Sequence, residues 1–181
     1  MNTLFSHVCV VTMDERMSVW TDAFVGVTDG KISYLSKHAP EEKPAQIIDA
    51  TGMVLMPGLI NCHTHLPMQL LRGYADDLKL QEWLNDYIFP REDRLDGRCV
   101  RAATTLAVAE CLKFGVTSVS DMYYFCDDIC DVIAKSGMKA NISRGTSMFL
   151  GDDFDFEKFP ACQELVALRD KWQGYDNGRI K

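Results

Sequence analysis

The sequence predicts an α/β protein: the N-terminal part of a (β/α)8 TIM-type barrel, preceded by a small β-sandwich portion. Three observations support this. Residues 1–56 consist of short apolar runs separated by turn residues, and from residue 57 onward β-branched runs alternate with helical segments, as in βαβ units with a parallel sheet. The chain has 181 residues, whereas a closed barrel takes about 250. We therefore expect a β-sandwich portion at 1–56 and a truncated barrel, at most half, at 57–181.

Within the first unit, the expected strands lie where apolar residues are concentrated between polar or turn-forming ones. Asp29-Gly30 separates two such runs by two residues, which is a strong signal for a β-hairpin. Thr51-Gly52 separates the last two runs. The expected strands span 8–11, 19–28, 31–35, 47–50 and 53–56.

In the second unit, strands and helices are expected in alternation. Gly115 and Gly137 follow two helical segments in the position of a C-terminal cap, and Pro90 is expected to stop the first helix. The expected strands span 59–62, 116–120 and 139–143, with a fourth opening at 178–181, and the expected helices span 80–88, 98–114, 127–135 and 160–172.

Composition narrows the possible partners and location. The net charge of −7, without a Lys/Arg cluster, argues against nucleic acid, and no apolar segment is long enough to span a membrane. The N-terminus lacks the pattern of a signal peptide. Seven cysteines without framework spacing are typical of a reducing compartment, so we expect a cytoplasmic protein.

Two histidines end the strand expected after Gly58. His63 and His65 are spaced i and i+2, so on a strand both imidazoles project to one face. At the C-terminal end of a buried barrel strand, two imidazoles can bind a divalent metal, which can activate water near neutral pH. The chain has two other histidines, His7 and His38, so it cannot be expected to complete a histidine site alone.

Several segments in order show what the chain is similar to. Together with the His63-Thr64-His65 strand, they resemble the amidohydrolase superfamily, and within it the 5′-methylthioadenosine/S-adenosylhomocysteine deaminases, close to the chlorohydrolase-like group. The resemblance covers essentially the whole chain but only about two-fifths of such an enzyme. The segments are Leu70-Leu71-Arg72-Gly73, Glu82-Trp83-Leu84, Pro90-Arg91-Glu92-Asp93-Arg94-Leu95, Ser120-Asp121-Met122-Tyr123 and Ser143-Arg144-Gly145.

The resemblance implies a zinc-dependent aminohydrolase that releases ammonia from a small molecule, a nucleoside or an aminated heterocycle. His63 and His65 would be the first two ligands of one divalent metal ion, expected to be zinc. The remaining ligands and the proton-transferring residues would lie on later barrel strands, so we expect no catalytic residue within these 181 residues and no activity from them alone.

The resemblance also implies three substrate-binding residues, each with a simpler alternative. Glu92 would accept both ribose hydroxyls, or else form a surface ion pair with Arg91 or Arg94. Arg144 would bind the carboxylate of a homocysteine tail, or else form a strand-end salt bridge. Trp83 would be a wall of the substrate pocket, or else a core aromatic residue.

Two further features bear on the function. Relatives that bind the homocysteine tail have a second arginine where residues 151–157 are acidic and aromatic here, which argues against S-adenosylhomocysteine as substrate. Asp121 is expected to be structural and hydrogen-bonded to loop backbone. Alternatives are another amidohydrolase, acting on a triazine, guanine or a pterin, or an inert fragment that needs a complementary chain. A homo-oligomer is also compatible with the unpaired strand edges.

Overall fold

The computed structural model describes residues 1–146 and 153–181, so residues 151 and 152 of the acidic segment 151–157 lie outside the described residues. The chain forms two compact units, Met1–Pro57 and Gly58–Lys181. Within the described residues, no helix combines the length and the apolar character needed to cross a membrane.

The first unit is a five-stranded mixed sheet. Its strands are β1 (Thr3–Val11), β2 (Val19–Thr28), β3 (Lys31–Ser36), β4 (Gln46–Asp49) and β5 (Val54–Leu55). The order is β3-β2-β1-β4, and β5 also pairs with β1. Asp29 and Gly30 both have positive φ, as a two-residue type I′ hairpin requires. Buried Val8, Val10 and Val25 form the core of this unit with two alanines.

The second unit contains a three-stranded parallel sheet of order β6-β7-β8. The strands are β6 (Leu59–Thr64), β7 (Val116–Tyr123) and β8 (Lys139–Arg144). Helical segments follow in chain order: a 3-10 helix (Leu66–Leu71), α1 (Leu80–Glu82), a π-helical turn (Trp83–Ile88), α2 (Phe89–Glu92), α3 (Gly97–Lys113), α4 (Cys126–Ser136), α5 (Pro160–Trp172) and α6 (Tyr175–Gly178). The α3 and α4 helices connect successive parallel strands, so the expected βαβ alternation is confirmed.

Local sequence explains where the two connecting helices begin and end. The side chain of Asp96 accepts a hydrogen bond from the backbone N–H of Cys99 at 2.8 Å and caps the N-terminus of α3. Gly115 and Gly137 follow α3 and α4 with φ of 78° and 79°, a conformation that favours glycine. These caps end the two helices directly before the starts of β7 and β8.

Apolar faces of the helices and sheet form one core in this unit. Its fully buried members include Val100 of α3, Val119 of β7, and Ile129 and Ile133 of α4. Ile180 is also buried and forms a single parallel bridge with Ala140. The expected opening of a fourth strand at 178–181 is therefore present as one bridge beside β8.

Pro90 does not stop the helical segment, contrary to expectation. The helical conformation continues from Leu80 to Glu92 through the π turn, in which the N–H of Phe89 bonds to the carbonyl of Leu84, five residues back. A π turn widens the backbone where the ring of a proline would otherwise meet the preceding turn, and Pro90 needs no N–H partner there.

The expectation that β6 is a buried strand is also wrong for the described chain. Leu59 and Ile60 are 51% and 67% exposed. Among the described residues, β6 pairs with β7 on one edge alone. The apolar residues at its start also lack the cover that the faces of a parallel strand normally have.

Candidate active site

The carboxyl ends of β6, β7 and β8 bring the candidate residues to one edge of the parallel sheet. His63 lies in β6 one residue before its end, and His65 directly follows the strand. Tyr123 is the last residue of β7, and Arg144 is the last residue of β8. Glu92 reaches the same edge from the end of α2. Ligands of open α/β sheets bind outside the carboxyl ends of the strands, so this edge is where a site is expected.

The two histidines lie side by side. Their ring centroids are 5.3 Å apart and the ring planes are at 83°. Asn61 and Thr64 of β6 oppose Val119 and Asp121 of β7, so β6 has one extra residue between them, a bulge directly before the second histidine. With Zn–N distances of about 2.1 Å and a tetrahedral angle, two imidazoles on one zinc have ring centres about 5 Å apart. The spacing of the pair therefore fits a shared ion.

A backbone contact fixes the tautomer of His65. Its Nδ1 lies 2.6 Å from the carbonyl oxygen of Met122. Because a carbonyl can only accept, Nδ1 has to donate, and in the neutral imidazole Nε2 is left with its lone pair. Ligating histidines are commonly oriented by such a bond through the other ring nitrogen. The donor set thus fits a metal, although the described residues contain no cluster of three or more His, Cys, Asp or Glu side chains that could hold one.

Asp121 supports the segment that follows His65. Its carboxyl is 2% exposed, and Oδ1 accepts a hydrogen bond from the backbone N–H of Leu66 at 2.6 Å. The structural role predicted for this residue is confirmed. Burial raises the pKa of Asp121 to about 6, against the opposing effects of the Leu66 N–H and of His65. Its other oxygen, Oδ2, is buried without a partner among the described residues.

Glu92 is half-buried and does not form the surface ion pair considered as its alternative. Its Oε1 accepts a hydrogen bond from the hydroxyl of Tyr123 at 2.6 Å. Burial, and next this bond, raise the pKa of Tyr123. The Tyr123 ring lies 6.3 Å from the ring of His65, measured between centroids. One buried tyrosine therefore stands between the histidine pair and the carboxylate.

Glu92 and Arg144 line a common cavity of about 810 Å³. The lining comes from α2 and the residues just after it, from the start of α4, from the end of β8 and from α5. Neither histidine lines it, and Trp83 is not among the described residues that do. Trp83 is half-buried on the π turn, so the structure does not bring it together with the other two candidates. The lining residues are Phe89, Glu92, Asp93, Leu95, Tyr124, Phe125, Cys126, Asp127, Arg144, Glu164, Ala167, Leu168 and Lys171.

Arg144 forms the strand-end salt bridge that the sequence left as its alternative. Its Nε donates to Oε2 of Glu164, and its Nη1 donates to the carbonyl oxygen of Gly145. The guanidinium carbon lies 4.7 Å from the centroid of the Tyr124 ring, a cation–π arrangement. The guanidinium is thus held from several sides within the chain itself.

Two residues of this site were not identified from the sequence. Tyr123 shares the buried face of β7 with Val119 and Asp121, and the period of two along that strand could have indicated it. No sequence pattern indicated Glu164, because a carboxylate on a helix is most often a solvent-exposed surface residue. Its role follows from the packing of α5 beside the end of β8.

A parallel β/α sheet that presents paired histidines at its carboxyl edge is typical of metal-dependent hydrolases built on a barrel. The chain belongs to the amidohydrolase family, whose model matches residues 54–181. Its fold is α/β, the N-terminal part of the barrel of that family.

Named relatives cover the chain almost completely. It is 36% identical over 178 residues to 5′-deoxyadenosine deaminase of Methanosarcina acetivorans, covering 98% of this chain and 40% of the relative. It is also 36% identical over 182 residues to 5-methylthioadenosine/S-adenosylhomocysteine deaminase of Pelotomaculum thermopropionicum, covering 99% and 41%. A crystal structure of an adenosine deaminase from Xanthomonas campestris with bound zinc is similar, with a TM-score of 0.82, 32% identity, and coverage of 99% and 41%. The chain therefore spans about two-fifths of the length of these relatives.

Proposed function

We propose that this chain supplies part of the active site of a metal-dependent aminohydrolase that deaminates an adenosine-type nucleoside. The observation that supports this best is the histidine pair: two imidazoles 5.3 Å apart, one with its Nδ1 tied to a backbone carbonyl, at the carboxyl edge of a parallel sheet. The site residues proposed are His63 and His65 for the metal, and Glu92 for the substrate.

The chemistry divides between the metal and the chain. A divalent ion, which we propose to be zinc, supplies activation of water at neutral pH when bound. His65 would hold this ion through Nε2, and His63 would hold it through its ring from the neighbouring position. Because three or four protein ligands are usual for zinc, we propose that further ligands and the proton-transferring groups come from protein outside these 181 residues.

The substrate class follows from Glu92 and from the names of the relatives. A half-buried carboxylate with one oxygen fixed by Tyr123 can accept the adjacent hydroxyls of a ribose through its remaining lone pairs. A triazine or a free purine base has no ribose for it to bind. The relatives that are 36% identical are named as deaminases of adenosine-type nucleosides.

We also propose that the protein works in the cytoplasm and that other protein covers the exposed apolar start of β6. All seven cysteines are unpaired, as in a reducing cytoplasm. The exposed Leu59 and Ile60 on β6 need cover by other protein, which a continuing chain, a complementary chain or a second copy could each provide.

The test is ammonia release by an active assembly that contains this chain. We expect turnover of 5′-methylthioadenosine and 5′-deoxyadenosine, and none of guanine or a triazine. The 181 residues purified alone serve as the control and should release no ammonia. Turnover of guanine or the triazine instead of the nucleosides would contradict the proposed substrate class, and activity from the 181 residues alone would contradict the division of the site.

A further inference from the structure

The cavity beside Glu92 contains more negative than positive charge. Four carboxylates and two cations line it, and each cation is already paired within the wall. Lys171 lies 3.1 Å from Asp127, and Arg144 is paired with Glu164. The charged lining residues are Glu92, Asp93, Asp127, Glu164, Arg144 and Lys171. An anionic group entering this cavity therefore finds no unpaired cation in the described wall.

Arg144 is the cation that could otherwise bind an anionic group. Its side chain is only 16% exposed. Glu164 accepts a hydrogen bond from Nε, the carbonyl oxygen of Gly145 accepts one from Nη1, and the ring of Tyr124 lies near the guanidinium in a cation–π arrangement. Glu164 itself is 57% exposed at the cavity wall. A ligand carboxylate that approaches the Nε side of Arg144 would have to displace Glu164, which is chemically the same group and is attached to the protein.

We propose that Glu164 is a specificity-determining residue, which restricts the cavity to nucleosides whose 5′ substituent has no negative charge. This rests on the proposed function, because Glu92 is taken to hold the ribose, and the proposal places the 5′ substituent in the cavity that Glu92 and Glu164 both line. Glu164 acts in two ways: it occupies Nε of Arg144, and its own charge repels an anionic substituent. Specificity of this kind depends on a repulsive contact as much as on attractive ones.

The test compares two ligands of nearly equal length and shape. 5′-S-(3-methylbutyl)-5′-thioadenosine is neutral, and 5′-S-(2-carboxyethyl)-5′-thioadenosine ends in a carboxylate. Dissociation constants are measured by calorimetry for wild type and Glu164→Gln, on the assembly that contains this chain with its metal removed by a chelator, so that neither ligand is deaminated. Asp170→Asn is the matched control, because it removes one negative charge from the same helix at an exposed residue that pairs with Arg169 and does not line the cavity.

Wild type is expected to bind the neutral ligand at least tenfold more tightly than the carboxylate. Glu164→Gln should reduce this ratio by about tenfold, since a charge-assisted hydrogen bond to the freed guanidinium contributes about 1.5 kcal/mol or more and 1.4 kcal/mol is a factor of ten. Asp170→Asn should leave the ratio unchanged, because its charge lies outside the cavity.

Each other outcome is decisive. An unchanged ratio in Glu164→Gln, an equal shift in Asp170→Asn, or no binding of either ligand would overturn the role of Glu164. If the ratio shifts as expected but no nucleoside releases ammonia, the role of Glu164 stands and the proposed deaminase function is wrong. If nucleosides release ammonia but the ratio is unchanged, the deaminase function stands and the role of Glu164 is wrong.

Discussion

Replacing Asp121 with alanine should destabilise the second unit by removing one buried hydrogen bond. The bond joins Oδ1 of Asp121 to the N–H of Leu66 over 2.6 Å, and both residues are 2% exposed. Loss of a hydrogen bond to a charged acceptor costs about 1.5–3 kcal/mol, and the N–H of Leu66 would be left buried and unpaired. Removing the buried carboxylate offsets part of this, because its raised pKa of about 6 shows that burial disfavours its charge. We expect a net loss of about 2 kcal/mol in the free energy of unfolding.

Asp121→Asn is the matched control, because the amide oxygen still accepts from Leu66. Its cost should stay below about 1 kcal/mol, since a neutral bond replaces a charged one and the buried charge is removed. Urea unfolding at pH 7 gives the global value, and hydrogen exchange of the Leu66 amide gives the local one. Faster exchange is expected in the alanine variant and near wild-type exchange in the asparagine variant. Equal destabilisation by both variants, with unchanged Leu66 exchange, would refute the assignment of the effect to this bond.

Two other predictions concern the metal and the ribose. In an assembly with its full ligand set, His63→Ala and His65→Ala should each lower the amount of bound zinc. The control variant His38→Ala changes an exposed residue of the first unit and should leave the bound zinc unchanged. Unchanged metal content in the first two variants would contradict the ligand assignment. Glu92→Gln should lower kcat/KM on a ribonucleoside by a factor that corresponds to about 1.5–3 kcal/mol, and should lower it much less on the 2′,3′-dideoxy analogue. Tyr123→Phe should raise KM for the ribonucleoside without changing the metal content. Equal losses on both nucleosides would refute the ribose role, and loss of metal in the tyrosine variant would refute its action through the carboxylate.

The sequence predicted most of the secondary structure because its signals are local. The helix at Pro160–Trp172 was predicted with its observed bounds, and Asp29-Gly30 and Gly137 mark a hairpin and a helix end through their own backbone preferences. Pro90 misled because a proline normally ends a helix, and the π turn that accommodates it leaves no recognised mark in the sequence.

The site was predictable from the sequence only where its residues are close together along the chain. The side-by-side arrangement that strand spacing predicts for His63 and His65 is present, although β6 has a bulge before its end and His65 lies one residue beyond the strand. The partners of Arg144 and Glu92 depend on how α5 and the end of β7 pack beside them, which is a tertiary property. Sequence spacing therefore indicated the histidines as candidate metal ligands, but it did not indicate that Arg144 is already paired within the chain.

The end of β7 explains how one short segment can organise two binding functions. Asp121 holds the backbone after His65, the carbonyl of Met122 holds the His65 ring, and the hydroxyl of Tyr123 holds Glu92. Asp121 and Tyr123 share the buried face of the strand, so the core that fixes one also fixes the other. Because a strand is rigid over three residues, the distance between the proposed metal ligand and the proposed ribose acceptor is set by β7 rather than by the loops that bear them. The proposed deamination of a nucleoside requires its base to be placed against the activated water while its ribose is bound, and small errors in such placement are costly in rate. A shared support in the core meets that requirement without any further contact between the two loops.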